Sequence, residues 1–275
     1  MHMVEFTFEA FKTKIWGNYR KAESLKGAVV LVHGFGEHSE RYANSVILML
    51  LNAGISVVTY DNVGHGKSGG KRGHCPSYEA LLDILEQVVA KARELHPDLP
   101  LFLYGHSMGG NLVLNYALKR DTNLAGVVAT SPYLRLAFQP PKWKMVLGRV
   151  MLRMNPSMTL PSGLDPIGIS RIPQEVEKYK NDTLIHDKVS PMFSFPIMDA
   201  GEWAIQNADQ LKVDAFLLHG TADSIIDPEG TKEFHQNAVK TTLELFEGGY
   251  HELHNDNCKA EMLQAISDWL KQQLV

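Results

Sequence analysis

Apolar positions along the chain fall into two alternating patterns, short unbroken runs and longer stretches with helical spacing. Gly27–His33 is a continuous run of the first kind, and Ile55–Tyr60, Leu101–Tyr104, 124–130, Val213–His219 and Thr242–Phe246 also read as strands. Runs this continuous are expected of strands buried on both faces, as in a parallel sheet. Between them, helical patterns occupy about 41–53, Tyr78–Leu95, the stretch from Asn111 to Leu118, 229–239 and 256–273; Gly54 and Pro97 stop the first two. Residues 4–8 and 12–20 read as a hairpin at the sheet edge. The alternation predicts an α/β fold, a mostly parallel central sheet flanked by helices. It stops between 133 and 204, where eight prolines, scattered helical pieces and no convincing strand occur. The expected organisation is a core of two parts, 1–132 and 205–275, interrupted by a mainly helical cap or lid at 133–204.

Residues 101–110 read Leu-Phe-Leu-Tyr-Gly-His-Ser-Met-Gly-Gly, a strand running through Gly-x-Ser-x-Gly into a helix. That order makes the nucleophile elbow of the α/β-hydrolase fold. The turn is so tight that its serine takes a strained backbone conformation, and glycines two before and two after leave room for the bend. Ser107 is the expected nucleophile. Its competitor role, a buried helix N-cap, does not need the flanking glycines.

A serine hydroxyl needs a base, and the base an orienting carboxylate. In this fold the chain order is Ser, then Asp or Glu, then His, with the partners in loops after late strands. Gly220-Thr221-Ala222-Asp223 follows one late strand and Glu247-Gly248-Gly249-Tyr250-His251 follows the next. Asp223 is assigned as the acid and His251 as the base. Asp227 competes for the first role, although Pro228 after it suits a helix cap. His254 and His235 compete for the second; His235 falls on a helix and is expected to be exposed.

The early segment His33-Gly34-Phe35-Gly36-Glu37-His38 follows a strand where the second oxyanion donor should arise. The backbone N–H groups of Phe35 and Met108 are the expected donors, and His33 is expected to be structural. The loop from Asp61 to Gly70 carries Gly66-Lys67-Ser68, but Asp61 stands where a phosphate-binding loop needs its first glycine. It is read as a structural loop near the site, with His65 not a metal ligand.

Composition narrows the picture further. A net charge of −4 argues against nucleic-acid binding. The two cysteines, Cys75 and Cys258, sit in no metal or disulfide spacing. The first residues show no secretory pattern and no apolar run reaches the ~20 residues that span a bilayer. The expected location is cytoplasmic, with peripheral membrane contact through the cap; the oligomeric state stays open.

These motifs together resemble the serine α/β-hydrolases of the monoglyceride lipase and lysophospholipase-like family. The segments 33–42, Asp61 to Gly70, 105–110, 220–223 and 250–255 carry the resemblance, which covers nearly the whole chain. It implies hydrolysis of fatty-acid monoesters of glycerol by a lidded enzyme that needs no cofactor and no metal. It also implies that Arg41 and His106 lie near the polar end of the pocket, and that Glu175 and Tyr179 of the cap meet the glycerol group. A lysophospholipase, a carboxylesterase, a proline-type aminopeptidase and a ligand-binding pseudo-hydrolase remain as alternatives.

One cap segment has its own signal. Residues 133–164 contain Arg135, Lys142, Lys144, Arg149 and Arg153 without an acidic residue, interleaved with Trp143, Val146, Leu147, Val150 and several methionines. A basic apolar helix with a Trp suits a membrane interface. The alternative is a helix packed on the core with its basic face in water.

Overall fold

The computed structural model describes residues 3–120, 123–138 and 140–274. In chain order it contains β1 (Met3–Ala10), β2 (Thr13–Arg20), β3 (Gly27–Val32), α1 (Leu48–Asn52), β4 (Ile55–Tyr60), α2 (Tyr78–Leu95), β5 (Leu101–His106), α3 (Met108–Lys119) and β6 (Gly126–Thr130). There follow α4 (Lys142–Met154), β7 (Leu160–Pro161), α5 (Pro173–Asn181), β8 (Lys188–Val189), α6 (Pro191–Gln206), β9 (Ala215–Gly220), α7 (Pro228–Asn237), β10 (Thr241–Phe246) and α8 (Lys259–Gln273). Eight strands form one sheet in the order β1-β2-β4-β3-β5-β6-β9-β10. The β1–β2 and β2–β4 pairs are antiparallel and every other pair is parallel.

The unbroken apolar runs are explained by burial of both sheet faces. Successive side chains of a strand point to opposite sides. In β3, Val30 and Val32 join one core with Leu103, Val127, Leu217 and helices α2, α3 and α6, whereas Val29 and Leu31 join a second core with Phe102, Val128, Phe216, α1 and α8. The helix expected at 41–53 begins at Ser39 and winds irregularly, through a 3-10 turn (Ser39–Tyr42) and a π turn (Ala43–Ile47), before α1.

Between β6 and β9 the chain departs from this pattern. No residue of α4 or α5 is fully buried, while α6 buries Phe193, Phe195, Ile197, Ala200, Gly201, Ala204 and Ile205. Of that segment, α6 is therefore part of the main helical layer. β7 and β8 pair with each other, two residues each, a strand pair that the proline-rich sequence conceals. The parallel register brings the carboxyl ends of β3, β5, β6, β9 and β10 to one edge of the sheet, the edge where such folds build their sites.

Candidate active site

β5 ends at His106 and α3 begins at Met108, so a single residue makes the turn. Ser107 carries it with φ 53° and ψ −114°, a conformation that L residues rarely adopt. The turn is fixed by its neighbours. Ser107 N–H donates to Thr130 O at 3.0 Å, and Ser107 O accepts from the N–H groups of Asn111 and Tyr133 at 3.0 and 2.9 Å. A Cβ on Gly105 would lie 2.2 Å from Gly109 O, and one on Gly109 would lie 2.1 Å from Val32 O. Both glycines are thus imposed by close approach of main chain.

β9 and β10 deliver the next two groups. Asp223 Oδ2 lies 2.6 Å from His251 Nδ1, and Asp223 Oδ1 accepts from Ile225 and Ile226 N–H at 2.8 and 3.0 Å. Burial opposes charge on Asp223, but His251 and His219 hold its carboxyl well below the usual range. Burial likewise opposes an imidazolium at His251, yet the adjoining Asp223 carboxylate raises it above the ordinary value. The bond through Nδ1 makes Nδ1 the donor and leaves Nε2 free to accept. No hydrogen bond joins Ser107 Oγ to His251 Nε2 among those described, and such contacts are often loose before substrate arrives. Ser131, itself at φ 43°, donates Oγ–H to His251 O at 2.8 Å and steadies the loop that carries His251.

The rival residues have other partners. Asp227 caps α7, accepting from Glu229 N–H at 3.0 Å. His235 is half-buried and bonded to Thr241 Oγ1 at 2.7 Å, not exposed as expected. His254 is fully buried against the Tyr42 ring, 4.5 Å between centroids, and burial drives its pKa down to about 3. One member of the site escaped the sequence reading. His219 Nε2 donates to Asp223 Oδ2 at 3.1 Å while its Nδ1 accepts from the Thr231 hydroxyl at 2.8 Å. Its signal was present, a polar residue near the end of a wholly apolar strand.

The loop after β3 lies beside the elbow. Among the described residues the N–H groups of Phe35 and Met108 have no hydrogen-bond partner. His33 is tied at both nitrogens, Nδ1 to Gly34 O at 2.7 Å and Nε2 to Asn62 N–H at 2.9 Å, and burial lowers its basicity. Glu37 Oε1 accepts from Gly34 N–H at 2.6 Å and from Tyr42 OH at 2.5 Å. Asp61 holds the far end, Oδ1 accepting from Ser39 N–H and Oγ–H at 2.9 and 2.7 Å, and Oδ2 from Lys67 N–H at 2.8 Å.

Arg41 is buried between two acids, with Nε 2.8 Å from Glu37 Oε2 and Nη2 bonded to Glu252. Burial opposes the charge on Glu37, but Arg41 keeps its carboxyl below the usual range. The Tyr179 ring lies 4.7 Å from the Arg41 guanidinium, whereas Glu175 is paired with Lys178 at 2.7 Å on the same helix. His106 packs 4.8 Å from the His251 ring and bonds Thr130 Oγ1 at 3.1 Å. Sequence reasoning did not foresee Glu37 and Glu252 as a pair, because the residues are far apart in the chain.

The site is nearly shut, Ser107, Asp223 and His251 being 7%, 6% and 5% exposed. A cleft of about 520 Å³ nearby is lined by Arg171, Val176, Lys180 and Tyr250 among others, and by none of these three. Among the described residues no group of three or more His, Cys, Asp or Glu is arranged to hold a metal.

The chain is similar to proteins already known. It is 31% identical to the human monoglyceride lipase over 90% of this chain and 83% of that one. It is 38% identical to an uncharacterized abhydrolase domain-containing protein of Dictyostelium discoideum, over 90% of this chain but only 26% of that longer protein. The solved structure of a Paleococcus ferrophilus monoacylglycerol lipase superposes with a TM-score of 0.85 at 36% identity, covering 99% of this chain and 100% of that one. The Hydrolase_4 family model, described as "Serine aminopeptidase, S33", matches residues 23–258, and the chain belongs to that family of α/β-hydrolases.

Proposed function

We propose that this protein is a serine esterase that hydrolyses monoacylglycerols to glycerol and a fatty acid. The observation that carries the reading is the 2.6 Å bond from His251 Nδ1 to Asp223, beside a serine held at φ 53° on the elbow. His251 Nε2 takes the Ser107 proton as Oγ attacks the ester carbonyl. The N–H groups of Phe35 and Met108 receive the oxyanion; loss of one such donor costs about 2.7–4 kcal/mol. The tetrahedral adduct collapses, His251 protonates the departing glycerol oxygen, and the acyl group remains on Ser107. Water then gives its proton to His251 as it attacks the acyl carbonyl; the bond to Ser107 Oγ breaks, Oγ takes that proton back from His251, and the fatty acid leaves. Asp223 fixes the imidazole tautomer and stabilises the imidazolium of each step.

The description of the family model names a serine aminopeptidase, and that reading needs an acidic site for a substrate amine. Beyond Asp223, the acids Glu37 and Glu252 are both bound by Arg41, so neither carboxylate is free to hold a substrate amine, which favours an uncharged alcohol such as glycerol. The Arg41, His106 and Tyr179 side chains are assigned to the polar end of the pocket, with Glu175 at its outer margin.

Within the segment 133–204, the residues ahead of α6 supply the cap in this reading, and α4 its mobile flap. Trp143, Val146, Leu147, Val150 and Met154 follow an i, i+3, i+4, i+7, i+11 stripe, and all face outward, Trp143 and Met154 being 65% and 76% exposed. An outward apolar stripe on a protein surface marks an interaction site. With Lys142, Lys144 and Arg153 alongside, it suits an anionic lipid surface. Arg135 and Arg149 do not add to that charge, since they pair with Glu202, Glu233 and Asp199. Among the described residues no helix is long and apolar enough to cross a membrane, so contact would be peripheral.

The test is a hydrolysis profile on monoacylglycerols of increasing chain length, beside diacylglycerol, lysophosphatidylcholine and a proline amide. Preference for monoacylglycerols is expected. A preference for the amide would leave the triad in place and overturn the substrate.

A further inference from the structure

Residues 35–41 are held from two sides. On the core side, Glu37 grips Gly34 and Asp61 grips Ser39, at the two ends of the loop. The residues between them meet the stretch that leaves α5. Asp182 Oδ2 accepts from His38 Nε2 at 2.8 Å. His186 N–H donates to Gly36 O at 2.9 Å, and the His186 ring stands edge-on to the Phe35 ring with centroids 5.7 Å apart. The Tyr179 ring covers Arg41. Four contacts therefore fall on residues 35, 36, 38 and 41.

The fit is close. Gly36 has φ +77°, and a Cβ there would lie 2.6 Å from His186 O. Asp182 is itself locked, since its Oδ1 accepts from Leu184 N–H at 2.9 Å. His38 has no second bond to hold it, because its buried Nδ1 lacks a partner. The Asp182 carboxylate is thus the one hydrogen-bond anchor of that imidazole among the described residues.

We infer that residues 179–187 brace the oxyanion loop, with Asp182 and His38 as positioning residues that set the place of the Phe35 N–H through the intervening main chain. This rests on the reading of that N–H as an oxyanion donor. The cap then has two parts with different roles. The stretch after α5 is a fixed part of the catalytic frame, and only the part around α4 is free to open. The brace matters because a displacement of about 1 Å at a reacting group can cost on the order of 100-fold in rate.

The test uses the full chain and three variants, Asp182→Ala, His38→Ala and His38→Gln, with a short soluble monoacylglycerol as substrate. Inhibition by an alkylboronic acid is measured alongside, since its tetrahedral adduct on Ser107 places an oxygen where the oxyanion forms. Both alanine variants are expected to lose about tenfold in kcat with KM nearly unchanged, and to bind the boronate about tenfold more weakly. His38→Gln, whose amide nitrogen can reach Asp182, is expected to keep most of both. Unchanged kcat and boronate affinity in both alanine variants would overturn the brace. The brace is equally overturned if His38→Gln folds and is as impaired as His38→Ala. Failure of the boronate on the wild-type protein would instead remove the underlying oxyanion reading, and the brace with it.

Discussion

The elbow and α4 sit at opposite extremes of confinement. Around residues 105–110 main chain presses on main chain, so a single methyl on Gly105 or Gly109 would collide with backbone oxygen at 2.2 or 2.1 Å. Helix α4 buries no residue. It rests on α6 along a narrow seam, with the Phe195 ring against Gly148 and Arg149 clamped to Asp199 at 2.6 Å. A nucleophile must be held to a fraction of an ångström, and strain is tolerated for that purpose only where the surroundings over-determine it. An element proposed to admit substrate, as α4 is here, must instead be separable from the core at small cost, and few buried contacts give low local stability. Substitutions at the two places should accordingly act on different observables.

The largest effect is expected at the elbow. Ser107→Ala should lower kcat by roughly a millionfold while leaving the far-ultraviolet dichroism unchanged. Ser107→Gly should be equally inactive yet melt higher, because glycine relieves a positive φ whose cost is about 1–3 kcal/mol. Appreciable esterase activity in either variant would remove Ser107 from its role. A Ser107→Gly protein less stable than wild type would show that the strain is not stored there.

Asp223→Asn comes next, with an expected loss of about 10⁴ in kcat. It also tests the direction of the His251 shift. In the proposed mechanism His251 works as neutral imidazole, so kcat/KM falls as pH falls through its pKa. The Asp223 carboxylate raises that pKa above the ordinary 6.5, which puts the acid limb of the wild-type profile above this value. With asparagine the carboxylate is gone and burial prevails, so the limb should move to lower pH in the residual activity. An unmoved limb would assign the titration to another group.

The same contrast explains what could be read from the chain. The sheet was legible because its central strands, buried on both faces, leave apolar runs, and Ser107, Asp223 and His251 could be singled out as candidates because each follows a strand. Glu37, Glu252 and Arg41 were not legible as a network, since a buried ion pair is made by tertiary approach and carries no periodic signature. His219 lay within a recognised strand, but its partnership with Asp223 depends on the turn after Gly220. For α4 the period identified the apolar stripe and left its direction undetermined. Periodicity reports that one helix face is apolar; only the neighbours decide what covers it.

The smallest catalytic effect is therefore expected on that stripe, and it is the sharpest test of the difference. Trp143→Ser with Leu147→Ser removes two exposed apolar side chains without opening a cavity, since neither is buried. Exposed substitutions of this kind usually change stability by less than about 0.5 kcal/mol. Melting temperature and kcat on a short soluble ester should stay at wild-type levels. Co-sedimentation with anionic vesicles at low salt should fall markedly, and so should turnover of long-chain monoacylglycerol presented in those vesicles. Charge and apolar surface act together at such an interface, so raising the salt should weaken the wild-type protein's binding as well. If the double variant still binds vesicles as the wild type does, the outward stripe is not the lipid-facing surface. If it loses activity on the soluble ester too, α4 is coupled to the elbow after all, and the separation of a rigid site from a loose flap does not hold.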